Sequence, residues 1–174
     1  MNKRELIKAQ QQLYGQFASH CTYGMTLQTT LRTRNANATK MTELVSSAND
    51  VMCDFRKKLN WLLTGNGHKR NPKYLPILIV SLEGTTNTYD HNRTLHYHIA
   101  FGNIDTKRLD VDFLEKLSKL WIETGIGTDD IKIHPLTSGR EHGWGTYISK
   151  EAWKGNMDCI DLENTQIPKH LLAS

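Results

Sequence analysis

Apolar positions recur along this chain in blocks whose period changes from one block to the next, and each period predicts an element. Over residues 3 to 18, Leu6, Gln10, Leu13, Tyr14 and Phe17 fall near helical spacing and predict a modest amphipathic helix. Residues 23 to 30, YGMTLQTT, alternate and are rich in β-branched side chains, as a strand is. The strongest stripe runs from about 40 to 63, where Met41, Leu44, Val45, Ala48, Val51, Met52, Phe55, Leu59, Leu62 and Leu63 keep the 3.6-residue period. Gly65, Asn66 and Gly67 stop it.

Residues 75 to 83, LPILIVSLE, form an apolar run short and branched enough for a buried strand, and residues 94 to 102 alternate strictly. Residues 111 to 124 predict a helix with Phe113, Leu114, Leu117, Leu120 and Trp121 inward, stopped by Gly125 and Gly127. Residues 131 to 135 read as a strand, and 144 to 154 return to helical spacing with Trp144, Ile148 and Ala152 on one face. Helices interrupting a mostly antiparallel set of strands predict an α+β fold: a central antiparallel sheet flanked by helices, ferredoxin-like in arrangement.

The 174 residues are 38% apolar, enough for one domain with its own core, read as residues 1 to 174 with a short tail from about 156. The formal charge of +4 is unevenly spread. Residues 1 to 87 hold 12 Lys and Arg against 5 Asp and Glu, whereas residues 88 to 174 hold 10 against 13, so the first half is the better candidate for meeting phosphates. Arg32, Arg34 and Lys40 follow the first strand, and Lys69, Arg70 and Lys73 precede the second, as candidate phosphate contacts. Tyr89 and Trp153 are candidates for stacking on unpaired bases.

Cys21, Cys53 and Cys159 are an odd, widely spaced set without a C-x-x-C pair, which argues against a disulfide framework or a zinc knuckle. The first residues lack the apolar core of a signal peptide, and no apolar run approaches the ~20 residues of a membrane span. The expectation is a cytoplasmic protein that does not enter a membrane.

Two groups of residues carry chemistry. In Leu95 to Phe101, strand alternation puts Leu95, Tyr97, Ile99 and Phe101 on one face and His96 and His98 side by side on the other. A lone histidine on a strand is ordinarily solvated or hydrogen-bonded, but two adjacent ones can share a divalent ion. If the two strands pair as a hairpin centred near Tyr89 and Asp90, Glu83 lies opposite His96 and supplies a carboxylate. Asp90 and His91 are the other candidates for a third ligand. Two imidazoles and a carboxylate with open positions suit Mg²⁺ or Mn²⁺ better than a closed zinc site. The second group is Tyr147 and Lys150, one turn apart on a helix face that the core does not claim. A phenol near a cation can act as a nucleophile, and the ammonium can neutralise phosphate charge or protonate a leaving oxygen. His134 and His142 flank this segment and are candidates for an outer shell.

Taken together, a Glu, then His-x-His on a strand, then Y-x-x-K on a helix about 50 residues later resembles the HUH endonuclease superfamily, in its single-tyrosine Rep branch of rolling-circle initiators. GMTLQTT is similar to the first Rep motif, and Tyr97 stands at the usually hydrophobic middle of the HUH triplet. The likeness spans about residues 23 to 155. It implies that Glu83, His96 and His98 hold a Mn²⁺ or Mg²⁺ ion on the scissile phosphate of single-stranded DNA. It further implies that Tyr147 attacks the phosphorus to leave a 5′-phosphotyrosyl link and a free 3′-hydroxyl, and that Lys150 places the phosphate or manages protons. The partners implied are single-stranded or hairpin origin DNA with a host or partner helicase and polymerase, since no G-x-x-x-x-G-K-[ST] phosphate loop occurs.

Competing expectations are a single-strand transposase of the same superfamily and a non-catalytic nucleic-acid-binding module. The Y-x-x-K spacing favours the Rep branch over the transposase. A conjugative relaxase would bring three histidines and an N-terminal tyrosine on a longer chain, and a zinc hydrolase barrel would need more ligands and more chain.

Overall fold

The structure is a computed structural model that describes residues 2–85, 93–136 and 159–172. The predicted helix at 144–154, together with Tyr147, Lys150, Trp153, His142, Tyr89, Asp90 and His91, lies outside the described residues.

Helix α1 spans Lys3–Ala18 and opens with a reciprocal cap: Asn2 Oδ1 accepts from the Glu5 amide at 3.0 Å, and the Glu5 carboxylate accepts from the Asn2 amide at 2.8 Å. Its buried side chains are Ile7, Tyr14 and Ala18, which stand at i, i+7 and i+11. Leu6 and Leu13, expected inward, are instead 38% and 48% exposed, because each is rotated by about 100° from that line. Strand β1 spans Cys21–Arg32 and helix α2 spans Ala38–Thr64. Asn37 caps the start of α2, and Gly65 ends it at φ +58°, a left-handed conformation suited to glycine.

A four-residue helix α3, Gly67–Arg70, and a 3-10 turn, Pro72–Tyr74, lead into β2, Ile77–Glu83. Strand β3 is Thr94–Gly102, and a second 3-10 turn, Thr106–Arg108, precedes α4, Phe113–Ile122. The last strand, β4, is Gly127–Pro135, and a short helix α5 covers Lys169–Leu172.

The four strands form one antiparallel sheet in the order β2-β3-β1-β4. With α2 joining β1 to β2 and α4 joining β3 to β4, this is a ferredoxin-like α+β arrangement, as the periodicities predict. Helices α2 and α4 bury Met52, Phe55, Leu59, Leu117 and Trp121 against Met25, Leu27, Val80, Leu82, Tyr97 and Ile99 of the sheet. Trp121 ties the layers together, with its ring 4.8 Å from that of Phe55 and its Nε1 donating to the Gln28 carbonyl at 2.8 Å. Leu114 departs from expectation: it is 43% exposed, since the inward line of α4 runs through Phe113, Leu117 and Trp121 at intervals of four. Strand β4 begins four residues earlier than its apolar pattern indicates, because Gly127 pairs with Thr29 ahead of an irregularity at residues 128–130, and regular pairing resumes with Ile131 opposite Leu27.

The opposite face of the sheet is covered over its lower half by α1, whose Ile7, Tyr14 and Ala18 join Ile77, Ile79 and Ala100. The expected tail is not loose over its described part. Cys159 and Asp161 bond to Leu82 and Val80, and Gln166 exchanges backbone bonds with Leu78 at 2.7 and 2.9 Å. The Gln166 side-chain amide also pairs with that of Asn60, at 2.9 and 3.0 Å. Residues 159–166 thereby satisfy the backbone groups that the outer edge of β2 would otherwise present to solvent.

Gly102 is a test of this packing. A Cβ there would collide with the His20 carbonyl and lie 2.8 Å from the Cys21 Cα, both backbone and unable to step aside. Gly102→Ala is expected to destabilise the fold by about 1–3 kcal/mol. Chemical denaturation reads this directly, and an unshifted midpoint would contradict the close approach of the α1–β1 turn to β3.

Candidate metal centre

Strand alternation sends Leu95, Tyr97, Ile99 and Phe101 toward α2 and α4, leaving His96 and His98 on the other face. The β2–β3 register pairs Glu83 with His96 and Ser81 with His98. On the other side of β3, Gln28 pairs with His96 and Thr26 with His98. The half of this face not occupied by α1 thus presents Glu83, Ser81, His96, His98, Thr26 and Gln28 together.

Glu83 Oε2 lies 3.4 Å from His96 Nε2 and 3.4 Å from His98 Nε2. One potential ligand atom from each residue falls within 4.8 Å of the others, and these three form the cluster of this kind among the described residues. Donor atoms roughly 2.1 Å from a common cation stand roughly 3.0–3.4 Å from one another at octahedral or tetrahedral angles. The Glu83 separations match that spacing. They also exceed the usual length of a charge-assisted hydrogen bond.

Both rings are turned so that Nε2 faces the carboxylate, and their other nitrogens show why. His96 Nδ1 lies 3.3 Å from the Thr94 carbonyl, which can only accept, so this contact calls for a proton on Nδ1 and leaves Nε2 of a neutral ring as a lone pair. His98 Nδ1 lies 3.0 Å from Thr26 Oγ1, a hydroxyl able to play the same accepting part. An imidazole nitrogen facing a carboxylate calls for a positive charge between them, which a proton on Nε2 or a bound cation supplies. Donor chemistry, spacing and ring orientation therefore fit a divalent cation, with the second ring nitrogens held as metal-ligating histidines usually are. The two rings meet edge to face, 5.1 Å between centroids. The Glu83 and His98 side chains are buried, while that of His96 is 20% exposed and gives the cluster its open side.

Tyr97, the middle residue of the triplet, does not belong to the site. It is buried on the helix face, 6.1 Å ring to ring from Trp121, and burial pushes its phenol well above the ordinary tyrosine range. It fills the core. Asp161, nearby in the segment along β2, is held above the usual carboxylate range by burial, against two stabilising hydrogen bonds from Asn164.

The six basic candidates separate into two groups. Arg32 pairs with Thr94, just beyond the His96 row, and Arg34 and Lys40 follow it, all exposed near the cluster's end of the sheet. Lys69, Arg70 and Lys73 lie at the other end, before Ile77, which pairs with Gly102. Six residues of β3 separate the two rows, about 20 Å. His134 pairs with Gly24 on the same face as His98 but stands outside the cluster.

Thr26, Gln28, Ser81 and Lys132 share this face and are not among the sequence candidates. Lys132 pairs with Thr26 and so continues the row Ser81, His98, Thr26 across the sheet; it is exposed and lies 3.4 Å from Asp130. Its signal is the polar alternation Asp130, Lys132, His134, which acquires meaning only once β4 is known to pair with β1. No family model, curated protein or solved structure matches the chain.

Proposed function

We propose that this chain is a metal-dependent nickase and strand transferase for single-stranded DNA, of the kind that initiates rolling-circle replication. The observation that carries the reading is the meeting of Glu83 Oε2 with the Nε2 atoms of His96 and His98, 3.4 Å from each, on a sheet face with one open side. A Mn²⁺ or Mg²⁺ ion bound there supplies positive charge to a non-bridging phosphate oxygen. The residues of the chain do the rest. Glu83, His96 and His98 hold the charge at a fixed place, and Thr26 and the Thr94 carbonyl keep the two rings oriented. Tyr147 is the proposed nucleophile: its oxygen bonds to phosphorus as the bond to the 3′ oxygen breaks. The phenolic proton passes to solvent water, and the departing 3′ oxygen takes one up from Lys150, the proposed donor, which solvent then reprotonates. Attack by a 3′-hydroxyl on the phosphotyrosine reverses these changes and rejoins the strand, so no nucleotide is consumed. Arg32, Arg34 and Lys40, all exposed, are the proposed contacts for the backbone of the cut strand, although Lys40 also lies 3.3 Å from Glu43.

The test is incubation with 5′- and 3′-labelled single-stranded oligonucleotides, hairpins included, with Mn²⁺ or with a chelator. A covalent adduct on the 5′ end of the cleaved product, mapped to Tyr147 and abolished by the chelator, is expected. DNA that is bound but never captured would overturn the nickase and favour a non-catalytic binding module. Among the described residues no helix is long and apolar enough to cross a membrane.

A further inference from the structure

At the pole of the sheet away from Glu83, segments far apart in sequence converge. Helix α3 and the Thr106–Arg108 turn both pack against α2, and the Pro72–Tyr74 turn touches both α3 and α5. They bring Lys69, Arg70, Lys73, Lys107, Arg108 and Lys169 to this end, all exposed, and none of the six pairs with a carboxylate among the described residues. Among the described residues, Asp105 is the one carboxylate that lines the groove between these elements, and one of its oxygens accepts from the Lys107 amide at 3.1 Å.

Between these elements lies a groove of about 460 Å³, with Tyr74 and Arg108 among its walls. Its shape depends on the glycines after α2. Tyr74 rests against Gly67, its Cβ 3.9 Å from where a Gly67 Cβ would stand, and Arg108 Nη2 occupies space 2.6 Å from where a Gly65 Cβ would stand. Asn103, at φ +54°, donates from Nδ2 to the Lys73 and Leu75 carbonyls at 2.8 and 2.7 Å, so the turn that carries Tyr74 is tied to the end of β3. Tyr74 nevertheless remains 58% exposed. An aromatic ring on a tied turn, left bare beside a groove and among cations that meet no carboxylate among the described residues, is the arrangement that receives an unpaired base and its phosphates. Duplex DNA keeps its base faces stacked and would leave the ring unused.

We propose that this groove is a second single-strand contact, in which Tyr74 stacks on an unpaired base while Arg108 and the Lys69, Arg70 and Lys73 group hold neighbouring phosphates. It deepens the proposed function, resting on that reading for its ligand class. Its place about 20 Å along β3 from the Glu83–His96 row assigns it to nucleotides flanking the cut rather than to the scissile phosphate.

The experiment is fluorescence anisotropy with a labelled oligothymidine of about 15 nucleotides, in chelator so that the metal cluster does not contribute. Tyr74→Ala is expected to weaken binding roughly five- to a hundredfold, and Tyr74→Trp to retain it. Changing Lys69, Arg70 and Lys73 to Ala is expected to lower the salt slope of log affinity by about two. Thermal melting checks that each variant stays folded, which the exposure of the four side chains favours. Unchanged affinity in Tyr74→Ala would overturn the stacking site. So would an equal loss of binding to a blunt duplex, which would mark a duplex-backbone surface instead. Tyr74-dependent binding without any covalent adduct would leave the groove standing and withdraw the nickase; nicking by a protein indifferent to Tyr74→Ala would do the reverse.

Discussion

Tyr147→Phe is expected to lower nicking of single-stranded DNA by at least about a thousandfold and to eliminate the covalent adduct, while affinity for the same DNA changes by less than about threefold. The substitution removes a single oxygen, the atom that would bond to phosphorus. A phenyl ring of the same shape keeps whatever packing the phenol has, so a loss confined to chemistry separates a nucleophile from an ordinary helix residue. Gel-resolved cleavage and peptide mapping of the adduct measure both effects. Nicking at the normal rate would remove Tyr147 from the mechanism and return the Y-x-x-K spacing to a helical surface pattern.

The second large effect is expected from the double change His96→Ala and His98→Ala. Two of the three donors around Glu83 disappear, and with them the means of fixing positive charge on the phosphate, so activity should fall at least about a hundredfold and cease to respond to Mn²⁺. A chelator should bring the unaltered protein to the same low level. Because Glu83 is buried, losing both imidazoles strips polar neighbours from a carboxylate that burial already disfavours, and some loss of stability is expected too. Comparing the variant with chelator-treated protein separates the two causes: the chelated protein keeps its side chains and loses only the ion. Metal-stimulated nicking that survives the double change would sink the site.

The physical reasons for what the sequence discloses differ from element to element. The 27-residue helix α2 is plain because its stripe repeats over many turns and one rotation of the pattern fits all of it. The Glu83–His96 pairing is legible because these residues stand equidistant from the midpoint of the segment joining two consecutive antiparallel strands, and the structure pairs them. Helix α1 is harder: Leu6 is as apolar as Ile7, and only the packing against Ile77, Ile79 and Ala100 selects Ile7, Tyr14 and Ala18 as the inward line. The strand-like contacts of residues 159–166 leave almost no trace, since isolated bridges to an edge need no hydrophobic alternation. The same holds for Thr26 and Lys132, whose relation to His98 is created by the pairing of β1 with β3 and β4, strands distant in sequence. The division of the basic residues between two ends of the sheet follows likewise from topology and not from the spacing of charges.

The central claim is that Glu83, His96 and His98 hold one divalent ion, and electron paramagnetic resonance of the protein titrated with Mn²⁺ addresses it most directly. One bound ion per chain, with coupling to two imidazole nitrogens that is lost in the His96→Ala, His98→Ala variant, is the predicted result. Mn²⁺ that stays free in solution, or binds equally well to that variant, would contradict it.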